Sequence, residues 1–176
     1  MTDGIQRIAR LSLLLALATV IHTIESFLPL TFVWFRFGFA NIIGLSTLYL
    51  FGFQDALVVT VGRIFLGSLA SGLFGSPAFL LSLSGGVFAI LTMGFAYRYA
   101  NRAFSEVGIS LMGAVAHNLA QLVVAYLVLI RNEGVFLLLP LMLATAVVTG
   151  ILNGLAARFF IDTFRRTLGQ VAEENQ

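Results

Sequence analysis

GISLMGAVAHNLAQLVVAYLVLI, residues 108–130, decides the fold: an apolar run with three polar side chains in its middle. A helix needs about 20 residues to cross the hydrocarbon core of a bilayer, and this run is long enough. In helical register His117 and Gln121 stand one turn apart, and Asn118 lies about 100° round from His117, so all three share one side. Ala114 and Ala125 extend the stripe with small residues. Polar side chains at membrane depth are costly unless satisfied, so this face is expected to point inward. Two readings stand: interhelical hydrogen bonds that lock a bundle, or the polar wall of a binding site.

The rest of the chain agrees with a membrane setting. Hydrophobic residues make up 59% of the 176, charged residues only 10%, and mean hydropathy is +0.99, far from the balance of a soluble domain. Six candidate spans follow, at 8–28, 37–53, 55–72, 78–97, 107–130 and 135–160. The fold class expected is therefore an all-α integral membrane protein. One six-helix transmembrane domain would cover residues 1–168, with a polar tail over 169–176 (GQVAEENQ) that is expected to fray. The first apolar run follows Arg7 and Arg10 as in a signal peptide, yet continues to Leu28, which reads as an uncleaved span.

All ten basic residues are arginine. Placing the N-terminus inside puts Arg7, Arg10, Arg98, Arg102, Arg158, Arg165 and Arg166 on the cytoplasmic side. Arg36 and Arg131 then fall outside and Arg63 within a span, an asymmetry that fits the positive-inside rule. The expected location is a bacterial inner (cytoplasmic) membrane, multi-pass, with both termini cytoplasmic. A formal charge of +2 spread over scattered arginines does not describe a nucleic-acid surface. With no cysteine, disulfides, thiolate metal sites and cysteine nucleophiles are excluded.

Further candidates for function are the ionisable and amide residues inside apolar runs. Glu25 lies near the end of the first span with His22 one turn earlier, and a carboxylate at that depth needs a partner. Arg63, flanked by Gly62 and Gly67, could pair with Glu25 or hold an anionic ligand bidentately. The stretch PLTFVWFRF (29–37) reads as an interfacial aromatic belt, or as a lid with Arg36 facing a negative group. Ser82, Ser84, Gly85 and Gly86 open the fourth span with small residues. Gly150 and Gly154 form a GxxxG pair with Asn153 beside them, and Ser12 and Ala16 give the first span a similar stripe. No GxxxxGK[ST], HExxH, GxSxG or DDxxD motif is present, and two histidines on different spans do not make a metal site. An enzyme acting alone is not expected, and neither is a cofactor.

Taken together, FGFANIIGLSTLYLFGFQDAL (37–57), GRIFLGSLASGLF (62–74), SLSGGVFAIL (82–91), the AVAHNLAQL stretch and LPLMLATAVVTGILNGLAAR (139–158) resemble one bacterial membrane family. It is known as heptaprenyl diphosphate synthase component I, or the Gx transporter family, and the likeness runs from Leu11 to Arg158. That family in turn resembles the substrate-binding S components of energy-coupling factor (ECF) transporters. The resemblance implies a six-helix bundle that captures a small vitamin-like ligand near the outer face, together with a coupling subunit and ATPases. Where S components carry an Ala-xxx-Ala docking pattern on the first helix, this chain has Ser12-xxx-Ala16.

The reading favoured is a membrane subunit that binds a small organic ligand for uptake. His117, Asn118, Gln121 and Asn153 would supply hydrogen bonds, Arg63 or Arg36 would offset negative charge, and Glu25 would line the same site. The alternatives are an accessory of a prenyl synthase in diphosphate or quinone metabolism, holding a lipid-like chain or recruiting the synthase, and a subunit of a membrane electron-transfer assembly.

Overall fold

The computed structural model describes residues 2–27 and 38–174, with side chains over 4–27 and 38–167. Among the described residues six α-helices follow in order: α1 (Thr2–Phe27), α2 (Ala40–Phe51), α3 (Phe53–Ala70), α4 (Pro77–Ala100), α5 (Glu106–Val124) and α6 (Leu139–Glu174). Among the described residues there is no strand, and the fold is an all-α bundle. Five of the helical segments are long and apolar enough to cross a membrane, and α2 is a shorter apolar helix. The segments Pro29–Phe37, Trp34 and Arg36 lie outside the described residues.

Turn chemistry sets the boundaries. Gly52, at φ +93°, gives the sharp α2–α3 reversal that a side chain would strain. Ser76 caps α4 ahead of Pro77, and Ser105 caps α5, each accepting from a backbone N–H in the first turn. At its far end α5 widens into a π-helical turn (Ala125–Ile130) that stops at Arg131 in the left-handed region, φ 48°. A 3₁₀ turn (Glu133–Leu138) then leads into α6.

Successive helices alternate in direction. Arg7 at the start of α1 pairs with Asp55 at the start of α3, so these two run parallel and α2 runs back between them. Gly154 of α6 meets the first turn of α5, where a Cβ on it would stand 2.6 Å from the Val107 Cα. One end of the bundle therefore gathers the starts of α1, α3 and α5 and the ends of α2 and α4, and with them Arg7, Arg98, Arg102 and Arg158. The inner packing joins Leu45, Leu48, Ile90, Met93 and Ile109 across α2, α4 and α5. Outside, Leu13, Leu17, Val20, Phe88, Leu119, Val148 and Leu155 are exposed. A bundle with an apolar outer surface and buried Arg, Glu and His suits hydrocarbon as its solvent.

One expectation changes. The second span, expected over 37–53, is a 12-residue helix, about 18 Å long against a hydrocarbon core of about 30 Å. It starts inside the bundle: Asn41 meets Arg63, ten residues into α3, and the Gly38 carbonyl meets Asn153, fourteen residues into α6. Gly38, at φ +66°, turns the chain immediately before it. Of the polar tail, the described residues as far as Glu174 continue α6 as helix.

Candidate functional site

Where α2 begins, side chains from five helices converge. His22 and Glu25 come from α1, Asn41 from α2, Arg63 and Ile64 from α3, Ser82 from α4 and His117 from α5, with Gly38 below them. The cavity between them is about 20 Å³, room for roughly one water molecule. Arg63, Glu25, His22 and Ser82 are all buried, between 4% and 7% exposed.

Arg63 donates to the Asn41 side-chain oxygen, and its other terminal nitrogen approaches His22 Nδ1 at 3.5 Å. Glu25 accepts a hydrogen bond of 2.7 Å from the Phe39 backbone N–H, at the N-terminus of α2. Asn153 donates to the Gly38 carbonyl at 3.1 Å. A carboxylate from α1 and an amide from α6 thus hold the two residues that lead into α2.

Glycines seat both imidazoles. A Cβ on Gly67 would stand 2.5 Å from His22 Cδ2, and one on Gly85 would stand 2.7–2.9 Å from three atoms of the His117 ring. Neither ring could lie where it does against a larger residue. Thr19, Thr23 and Ser26 direct their hydroxyls to carbonyls four residues earlier on α1, so these groups are satisfied within the helix.

Of the residues singled out from the sequence, Arg63, Glu25 and His117 meet at one cavity, and Asn153 reaches its floor through Gly38. Asn118 turns to α6, donating to the Met142 carbonyl at 2.6 Å and to the Thr145 hydroxyl at 3.4 Å. Gln121 turns to α4 and donates to the Leu81 carbonyl at 3.3 Å. The polar face of α5 therefore splits three ways: one member lines the cavity and two bridge to neighbouring helices. Asn41 is the site residue sequence reasoning passed over, although an amide inside the apolar run FGFANIIG marks it. Ser12 and Ala16 are exposed on the outside of α1.

No group of three His, Cys, Asp or Glu residues suited to a metal occurs among the described residues. No curated protein and no solved structure matches the chain. One family model does, over residues 14–160, and its description is heptaprenyl diphosphate synthase component I. That span takes in α1 from Leu14, the cavity residues and α6 as far as Phe160. The chain is thus a multi-pass helical membrane protein that belongs to the heptaprenyl diphosphate synthase component I family.

Proposed function

We propose that this chain is a membrane-embedded ligand-binding subunit that takes up a small organic molecule through an anionic or strongly hydrogen-bonding group. The observation that carries the reading is the convergence of Arg63, Glu25, His22, His117 and Asn41 on one cavity where a half-length helix begins. Such a constellation inside an apolar bundle is expensive, and helix starts at membrane depth suit anionic groups. Glu25 already occupies the N-terminus of α2. A ligand carboxylate or phosphate would compete with it for that backbone N–H and for Arg63.

The present cavity is too small for such a ligand. Entry therefore requires Gly38 and Phe39 to leave Asn153 and Glu25. With no nucleotide-binding loop in the chain, the energy for release would come from partner subunits, as in an energy-coupling factor assembly.

The family description favours a second reading, an accessory subunit of a prenyl diphosphate synthase. Gentle purification from the native membrane, with mass spectrometry of every co-purifying protein and small molecule, separates the two. A water-soluble vitamin-like molecule or ATPase partners supports uptake. A prenyl synthase, a polyprenyl species or a quinone supports the accessory role and defeats the first reading.

A further inference from the structure

At the arginine-bearing end, the first residue of α3 lies across the last turns of α4. The Phe53 ring sits over Gly94, where a Cβ would come within 2.3 Å of it. Beside this contact a groove of about 490 Å³ runs past Leu91, Gly94 and Phe95 and ends at Tyr97, Arg98 and Tyr99. Sites for small molecules commonly measure about 300–1,000 Å³. Phe95 and Leu91 are exposed on the outer surface, 69% and 45%, so the groove opens sideways into hydrocarbon.

Its polar end is cationic. Arg98 stands one turn beyond Gly94, exposed, with its guanidinium 5.8 Å from the Tyr99 ring centre. Among the described residues no carboxylate contacts it, whereas Arg7 at the same end is engaged by Asp55. Arg102 follows one turn later. An apolar trough followed along α4 by an uncompensated guanidinium set between two tyrosines matches an acyl chain followed by a phosphate.

We propose that this groove binds an anionic phospholipid of the adjoining leaflet, with the phosphate on Arg98 and one acyl chain along Leu91, Gly94 and Phe95. The sideways opening selects a bilayer lipid, which is present at the groove's mouth at high local concentration and needs no route from water. The groove shares no lining residue with the cavity around Arg63. The two proposals therefore stand or fall separately.

The test places the full chain in phosphatidylcholine nanodiscs containing spin-labelled phosphatidylglycerol or spin-labelled phosphatidylcholine, and compares the immobilised fraction of each. Phosphatidylglycerol should be favoured by about fivefold, the scale set by one arginine at a lipid surface. Arg98→Gln should remove that preference, while Arg165→Gln, an equal loss of charge on exposed α6, should keep it. Phe95→Ala should reduce immobilisation of both labels. All three positions are exposed, so the variants should fold. Equal effects of Arg98→Gln and Arg165→Gln would reduce the preference to diffuse attraction and overturn the proposal. Displacement of the labelled phosphatidylglycerol by equimolar farnesyl diphosphate would overturn it in favour of an isoprenoid occupant.

Discussion

A guanidinium keeps its charge inside a membrane bundle and is costly there unless acceptors surround it, and Arg63 draws acceptors from two other helices. Arg63→Ala should abolish ligand capture, and Arg63→Lys should restore little, since a point charge cannot reach Asn41 and His22 together. Equilibrium binding of whichever ligand co-purifies checks both. Asn118→Ala and Gln121→Ala should behave differently, with binding retained and thermal stability in detergent lowered. Interhelical hydrogen bonds in membranes contribute about 0.6–1.7 kcal/mol each. A selective loss of binding in either variant would return these amides to the site. Gly85→Val should push the His117 ring out of its seat, abolishing binding in a chain that still inserts. At this scale the sequence marked Glu25, Arg63 and His117 as groups in need of partners, because charge within an apolar run is costly, and the structure gathers them at one cavity. The amide neighbours of His117 were not legible in this way. His117, Asn118 and Gln121 share a helix face, and only the positions of α4 and α6 decide where each one points.

Among the elements, the α5–α6 contact shows how much two missing methyl groups can settle. Cβ atoms on Gly150 and Gly154 would stand 2.8 and 2.6 Å from the Leu111 and Val107 Cα atoms, which are backbone and cannot rotate away. Gly154→Leu should therefore part α5 from α6, and the chain should aggregate on size-exclusion chromatography in mild detergent. Gly4→Ala meets open space and should elute as the unaltered protein does. The GxxxG spacing announced this contact in the sequence. The half-length of α2 was hidden, because apolar residues continue through Phe37 and Phe39 whether or not the chain there is helical. What fixes the start of α2 is a pair of long-range hydrogen bonds, from Asn153 to the Gly38 carbonyl and from the Phe39 N–H to Glu25, and composition carries no trace of them.

Across the whole molecule, composition alone gave an apolar exterior and a membrane setting, while the arginine pattern marked one end. The Arg7–Asp55 ion pair ties α1 to α3 at that end, with Asp55 buried and Arg7 largely exposed. Arg7→Gln should lower the melting temperature by stranding the Asp55 carboxylate. The double variant Arg7→Gln/Asp55→Asn should recover most of the loss, and a melt that fails to recover would show that Arg7 acts through packing instead. At the same end α6 runs to Glu174, roughly 10 residues past Phe164, whose ring packs edge-on against Phe51, and so about 15 Å farther along its axis. Because no break separates that projection from the part of α6 packed on α5, the two form one lever. Any shift of that end of α6 would therefore be carried through Gly154 and Gly150 to the helix that bears His117, and through Asn153 to the start of α2.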